Sequence, residues 1–196
     1  MKVVALNGSP REGGNTFLAL CAACEELSKE GIEVEIINIG ARDIYGCKAC
    51  GGCADGECAL GDDWFKEVTQ KVVEADGIIL GSPVYYASIN GTMKSFLDRM
   101  FYQRGMKAKM RHKFGASVAI CRRAGSVGTF DHLNHYLLIS QMIAVGSSYW
   151  NIGIAREPGA LEHDEEGLGT MRNMGRSMAW LLKMKEYSKN AVKEPQ

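Results

Sequence analysis

Two stretches of this chain carry groups whose types and spacing can do chemistry. The first is Asn7-Gly8-Ser9-Pro10-Arg11-Glu12-Gly13-Gly14-Asn15-Thr16, which interrupts the apolar run Val3-Val4-Ala5-Leu6 and gives way to a helical pattern. Gly8, Gly13 and Gly14 let the backbone curl, Ser9, Asn15 and Thr16 offer short hydroxyl and amide groups, and a helix starting near Thr16 directs unpaired N–H groups at the loop. Such a loop suits an anion. Helix-end charge contributes only about 0.3–1 kcal/mol at an exposed site. A tightly held phosphate therefore also draws on direct hydrogen bonds from the loop, and Arg11 can add charge-assisted ones. A P-loop needs a Lys-Ser/Thr pair entering the helix, where this chain has Asn15-Thr16, and the glycine spacing is not G-x-G-x-x-G. The loop reads as a mononucleotide-type phosphate site, with a plain polar connection at the top of a sheet as the alternative.

The second stretch is Cys47-x2-Cys50-x2-Cys53-x4-Cys58, four thiols within twelve residues, with Gly46, Gly51, Gly52 and Gly56 around them. The chain has seven cysteines, an odd number unevenly spaced, which is not the disulfide framework of a small secreted domain. Thiolates two residues apart in a glycine-rich loop can wrap one cubane, which takes four sulfur ligands. Zinc also accepts four thiolates, although structural zinc sites usually pair two separated C-x2-C knuckles. Reduced thiols on a mobile loop are the third reading. Cys21 and Cys24 form another C-x-x-C, but they fall inside a helical pattern on one face, which makes them small buried side chains rather than a redox pair. His132 and His135 stand at i and i+3 without a further ligand at metal-binding spacing, so no metal is assigned to them.

Stepping outward to the elements that hold these stretches, 196 residues suffice for one well-cored domain, 1–196, with 46–61 as a cysteine-rich insert loop. Apolar residues make up 46% and the formal charge is zero, which suits a compact protein and leaves no global field for nucleic acid or membranes. No apolar run approaches the ~20 residues of a membrane span and no basic, apolar leader opens the chain, so the expected location is cytoplasmic. The apolar pattern predicts a strand before Asn7, a helix from Thr16 to about Glu30, and a one-side-wet strand over Ile32–Ile39. It continues with a helix capped by Asp62, a buried strand Gly77–Leu80, a loop Gly81–Ser88 and a helix from about Asn90 to Tyr102. The basic run Arg104–Lys113 reads as a solvated connection, with a cofactor phosphate site as the alternative. A strand over Phe114–Ile120, a small-residue loop Cys121–Thr129, a helix from about Phe130 to Ala144, a strand Ser147–Ile154 and a last helix from about Glu165 to Tyr187 complete the chain. In that last helix Met171, Met174, Met178, Leu181 and Leu182 form the buried stripe. Strands alternating with helices specify a parallel sheet covered on both faces, and the order 2-1-3-4-5 puts the wet-sided second strand at an edge. The site then falls outside the C-terminal ends of strands one and three, where the order reverses.

Gly8-Ser9-Pro10-Arg11 with Gly14-Asn15-Thr16, then Gly81-Ser82-Pro83-Val84-Tyr85-Tyr86 followed by Met93-Lys94-Ser95-Phe96-Leu97-Asp98-Arg99, resembles the flavodoxin-like NAD(P)H-dependent FMN reductases over nearly the whole chain. The resemblance implies an α/β, flavodoxin-like three-layer sandwich and FMN, with phosphate at Ser9, Arg11, Asn15 and Thr16. It places ribityl and isoalloxazine against Pro83, Val84, Tyr85 and Tyr86, with Ser88 beside them and Cys121, Arg122, Arg123, Ala124 and Gly125 closing the other side of the ring. Family members often carry Thr, Gly or His where this chain has Arg122-Arg123-Ala124. The cysteine run is similar to the compact motif of iron–sulfur flavoproteins, which implies a [4Fe–4S] cluster on Cys47, Cys50, Cys53 and Cys58.

A flavin needs a phosphate cradle, an apolar and aromatic wall, and N–H groups along one ring edge, because the redox chemistry is the cofactor's own. No protein acid or base is assigned. The expected activity is an FMN-dependent oxidoreductase that takes hydride from NAD(P)H and passes electrons to a quinone, a flavin or another small acceptor or redox protein, with a cluster as relay. The alternative is a flavodoxin-type electron carrier without a substrate of its own. Such carriers are usually strongly acidic, unlike this neutral chain. A nucleotide-binding regulatory module would explain the first loop but not Tyr85, Tyr86 and the cysteines. A ring held at a sheet end by short loops stays exposed unless covered, which predicts a homodimer or homotetramer with Trp64, Tyr102, Phe130 and Trp150 as aromatic candidates for the interface.

Overall fold

The computed structural model describes residues 1–193 and 195. Its centre is β1 (Lys2–Asn7), flanked in parallel by β2 (Glu33–Asn38) and β3 (Gly77–Tyr85). β3 pairs in parallel with β5 (Phe114–Cys121), which in turn pairs with β6 (Ile143–Ala144) along its first residues and with β7 (Ile152–Ile154) along its last. The order β2-β1-β3-β5-β6 is the expected 2-1-3-4-5 arrangement with one short extra strand counted. That extra strand, β4 (Ser88–Ile89), folds back antiparallel on the end of β3.

Alternate residues of the strands feed two cores, as a sheet covered on both faces requires. Val3, Ala5, Ile79, Ala116 and Val118 meet α1 (Asn15–Lys29) and α6 (Glu165–Ser188), whose Met171, Met174 and Met178 are buried. Val4, Leu6, Ile78 and Leu80 meet α2 (Asp63–Glu74), α3 (Gly91–Tyr102) and α5 (Ser126–Ile139) through Phe65, Phe96, Leu97 and Leu133. Burial of this apolar surface, at ~25 cal/mol per Å² removed from water, is what holds the layers together. Local signals fix the ends. Gly31 at φ +77° stops α1, and Asp62 caps α2 by accepting from the Phe65 N–H at 2.8 Å.

Four boundaries differ from the sequence expectation. β3 runs on to Tyr85, because its last residues pair with both β5 and β4. The helix expected from Phe130 begins at Ser126, directly after Gly125 turns the chain at φ +86°, and ends before Gln141 at φ +54°. Of the strand expected over Ser147–Ile154 only β7 forms, and β6 lies before it in the stretch expected to end a helix, because residues 146–150 leave β5 and are tied by the Ser147 hydroxyl to Tyr149 O and Asn151 Oδ1. The basic run is not wholly a solvated connection. It contains α4 (Met106–Met110), whose two methionines are buried while Lys107 and Lys109 are exposed.

Candidate flavin and cysteine sites

The first loop leaves β1 beside β3, where the Gly8 N–H bonds Gly81 O at 2.8 Å. Ser9 and Thr16 are buried while Pro10 and Arg11 stand in solvent. The Ser9 hydroxyl accepts the Arg11 N–H at 3.2 Å, and the Ser9 N–H donates to Asn7 Oδ1 at 3.1 Å, so the loop is curled by its own side chains. Gly14 caps α1 without a side chain, which leaves the first-turn N–H groups facing the loop. A Cβ on Gly40 would fall 2.2 Å from Gly8 O and 2.3 Å from the Ser9 carbonyl carbon, so the turn after β2 braces this loop by backbone contact. Asn15 sits apart from the other predicted phosphate contacts. Its Nδ2 donates to Glu157 O at 2.8 Å and its Oδ1 accepts from the Leu161 N–H at 3.3 Å, so its side chain ties α1 to the segment after β7. That segment is irregular in the sequence and without apolar period, so nothing in it signals the tie to Asn15.

The second loop is a hairpin. Tyr86 and Ala87, at φ +49° and +58°, form a two-residue turn between β3 and β4 in the conformation that hairpins favour and side chains disfavour. Tyr86 is fully exposed, Tyr85 is half exposed, and Pro83 and Val84 are part-buried beneath them. Asn90 then closes the hairpin: its N–H donates to Ser82 Oγ at 3.0 Å, and its Oδ1 caps α3 at the Met93 N–H. The third loop lies against the hairpin tip. A Cβ on Gly125 would be 2.8 Å from Ala87 Cα and 3.1 Å from Val84 Cγ1. Cys121 is buried, with its carbonyl taking the Ala155 N–H at 2.8 Å, while Arg122, Arg123 and Ala124 are exposed. Ser88 Oγ is 2.9 Å from His132 Nδ1. This histidine, to which the sequence assigns no metal, buttresses the hairpin from α5. The three loops thus gather at the C-terminal edge of β1, β3 and β5, as the strand order predicts.

The cysteine loop runs from Gly46 to Gly61 without helix or strand and turns at Ala49, Gly51 and Gly56, all with φ above +45°. Its four cysteines line one cavity, closed by Arg99, Tyr102 and Gln103 from the end of α3 and just beyond it. Cys53 Sγ approaches Tyr102 O at 4.0 Å, and Arg104 Nη1 donates to Ala54 O at 3.3 Å. Among the described residues no three His, Cys, Asp or Glu side chains converge as a single metal ion would require. Arg99 is buried, stacked 4.2 Å above the Phe65 ring, with Nη2 3.6 Å from Cys58 Sγ and Nη1 3.5 Å from Tyr45 O. A charged residue within the apolar stripe of Phe96, Leu97 and Met100 is the signal by which the sequence could have marked it. α3 joins the two sites: Met93 packs against Gly8 of the first loop and Arg99 faces the cysteines, six residues and about 9 Å of helix axis away. The Cys21/Cys24 pair lies elsewhere, in α1. Cys24 is buried, and burial pushes its thiol up to about 12.

The residues at both sites are of the types that a phosphate and a four-thiolate cluster take. The first-loop hydroxyls and N–H groups form an anion cradle next to an uncovered aromatic hairpin, and the cysteine cavity offers four sulfurs beside a buried cation. Residues 1–157 match the family described as NADPH-dependent FMN reductase. An iron-sulfur flavoprotein of Methanocaldococcus jannaschii is 36% identical over 192 residues, covering 94% of this chain and 98% of its own. One from Methanosarcina thermophila is 30% identical over 186 residues, covering 94% and 96%. Among solved structures, an NADH:FMN oxidoreductase in its apo form superposes with a TM-score of 0.69 at 19% identity, covering 92% of this chain and 89% of that one, which speaks for the fold alone. No helix among the described residues is long and apolar enough to cross a membrane.

Proposed function

Because the chain belongs to the NADPH-dependent FMN reductase family, we propose that it is an FMN-dependent oxidoreductase that passes electrons from NAD(P)H through a [4Fe–4S] cluster on Cys47, Cys50, Cys53 and Cys58 to a small acceptor or redox protein. The observation that carries this reading is the placement of all four cysteines on one cavity at the far end of the helix that begins beside the flavin loops. FMN, when bound, accepts hydride and releases electrons singly or in pairs. The chain's own residues hold, orient and shield. Ser9 and Thr16 hydroxyls and the first-turn N–H groups of α1 grip the phosphate, with Arg11 adding charge from solvent. Pro83, Val84 and Tyr85 would supply the wall for the flat ring, next to the strained Tyr86-Ala87 turn. The ring is approached from the exposed side, where Arg122 and Arg123 offer cations to a nicotinamide cofactor's phosphates.

The reading includes a homodimer or homotetramer. Tyr86 stands fully in solvent, Tyr102 is exposed, and Trp150 lies tilted against Tyr149 in the exposed bulge between β6 and β7. A neighbouring copy covering these aromatics would shield the ring from water. Trp64 contacts Phe96 edge-on and carries Arg42 over its ring, and both it and Phe130 are part-buried, so they would contribute less to such a surface. The test is anaerobic purification and reconstitution with iron and sulfide. Flavin bands with a broad overlying absorbance and about four irons per chain, lost on Cys50→Ser, support the reading; stoichiometric flavin without iron uptake defeats the relay. Light scattering at micromolar concentration of flavin-loaded protein tests the assembly, and a monomer removes it.

A further inference from the structure

A buried guanidinium without a carboxylate is costly unless something else balances its charge. Arg99 is in that position: 7% exposed, stacked on Phe65, and hydrogen-bonded among the described residues only to the Tyr45 carbonyl and the Cys58 sulfur. Its Nε is buried without any partner. The adjacent carboxylate, Asp98, is taken by Lys94 and the Tyr136 hydroxyl on the other side of α3. What the guanidinium faces is the cavity walled by the four thiols. An iron–sulfur cluster held by four thiolates is an anion whose charge deepens by one on reduction. We infer that Arg99 is the countercharge of this cluster, a positioning residue that holds Cys58 in place and favours the reduced cluster over the oxidised one. The inference rests on the cluster reading above, and it explains a charge that the stacking of Arg99 on Phe65 does not require.

Charge near the sulfurs is one of the levers that set a cluster's potential, and partners of metal ligands typically carry about 10–100-fold in metal affinity. Arg99→Met keeps length and apolar contact with Phe65 but removes the charge, while Arg99→Lys keeps the charge and loses the planar fork. The experiment reconstitutes wild type and both variants anaerobically. It then measures iron per chain, the midpoint potential of the cluster by spectroelectrochemical titration, and the melting temperature of each metal-free protein. Arg99→Met should lose roughly tenfold in cluster retention under chelator challenge, and whatever cluster remains should titrate at a more negative potential, with Arg99→Lys restoring most of both. The metal-free Met variant should melt no lower than metal-free wild type, because it removes an unbalanced buried cation. Wild type without iron would overturn the cluster reading itself. Wild type with four irons, and a Met variant of equal retention and potential, would overturn this inference alone. Equal losses in Met and Lys variants, or a metal-free Met variant melting well below wild type, would make Arg99 a packing residue and overturn it as well.

Discussion

Gly125→Ala should damage this protein far more than the same change at Gly13, although both glycines sit at positive φ, +86° and +64°. Forcing an alanine into the left-handed region costs about 1–2 kcal/mol at either site. At Gly13 that is the whole cost, since nothing lies within 4 Å of the new Cβ. At Gly125 the Cβ would meet Ala87 Cα at 2.8 Å and Ala87 Cβ at 3.0 Å, distances that a side chain cannot relieve because the first is backbone in an already strained turn. Overpacking of this kind adds roughly 1–3 kcal/mol. Urea unfolding of flavin-free protein should therefore separate the two variants by about 1–3 kcal/mol, equivalent to several degrees of melting temperature for a chain of this size. Because the tip displaced by Gly125→Ala is the proposed flavin wall, FMN and riboflavin affinity should fall together in that variant. A Gly125→Ala protein as stable as Gly13→Ala, with unchanged riboflavin binding, would refute the contact between the third loop and the hairpin as a determinant of the site.

Ser9→Ala/Thr16→Ala should weaken FMN by about two powers of ten or more, from lost bonds to a charged group of about 1.5–3 kcal/mol each, while riboflavin affinity measured by fluorescence quenching stays nearly level; equal losses would remove the phosphate assignment. Asn15→Ala should free the segment after β7 from α1 at about 1–3 kcal/mol for two hydrogen bonds, read as faster amide exchange at Leu161, and unchanged protection there would count against the tie. Cys24 has its thiol raised from 9.0 to about 12 by burial, so the stability it contributes is whole below about pH 9 and drains away as pH rises toward 12. Cys24→Ala should flatten the alkaline slope of unfolding free energy in that window, and an unaltered slope would show that other groups set it.

Much of this could be read from residue order alone. Val3–Leu6, Ile78–Leu80 and Phe114–Ile120 are continuous apolar runs that only a sheet covered on both faces can bury, and the alternating Ile32–Ile39 belongs at an edge; the strand order follows from those facts. The loops at the strand ends were legible because glycine and short polar residues crowd there. The Tyr86-Ala87 hairpin was not, since its turn carries neither Asn nor Gly, and the conformation is imposed by pairing on β3 and the cap at Asn90. The break in the last strand escaped notice because Ile143-Ala144 is too short to signal a strand, and the turn at Ser147 depends on a hydroxyl reaching Asn151 four residues on. Arg99 stands out in the sequence only as a charge within an apolar stripe, and its role needs the tertiary structure, since its partners come from residues 45, 58 and 65.

That broken last strand also bears on how copies of the chain can meet. An intact edge strand would offer a continuous row of unpaired N–H and C=O groups to any passing chain. Here the row is cut in two by residues 146–150, and the opposite border along β2 is fenced by Lys2, Glu33, Glu35 and Lys71 in a chain of ion pairs. Neither margin of the sheet is a ready template for strand addition, so the fold resists growth into fibres while leaving the bulge free to display Tyr149 and Trp150.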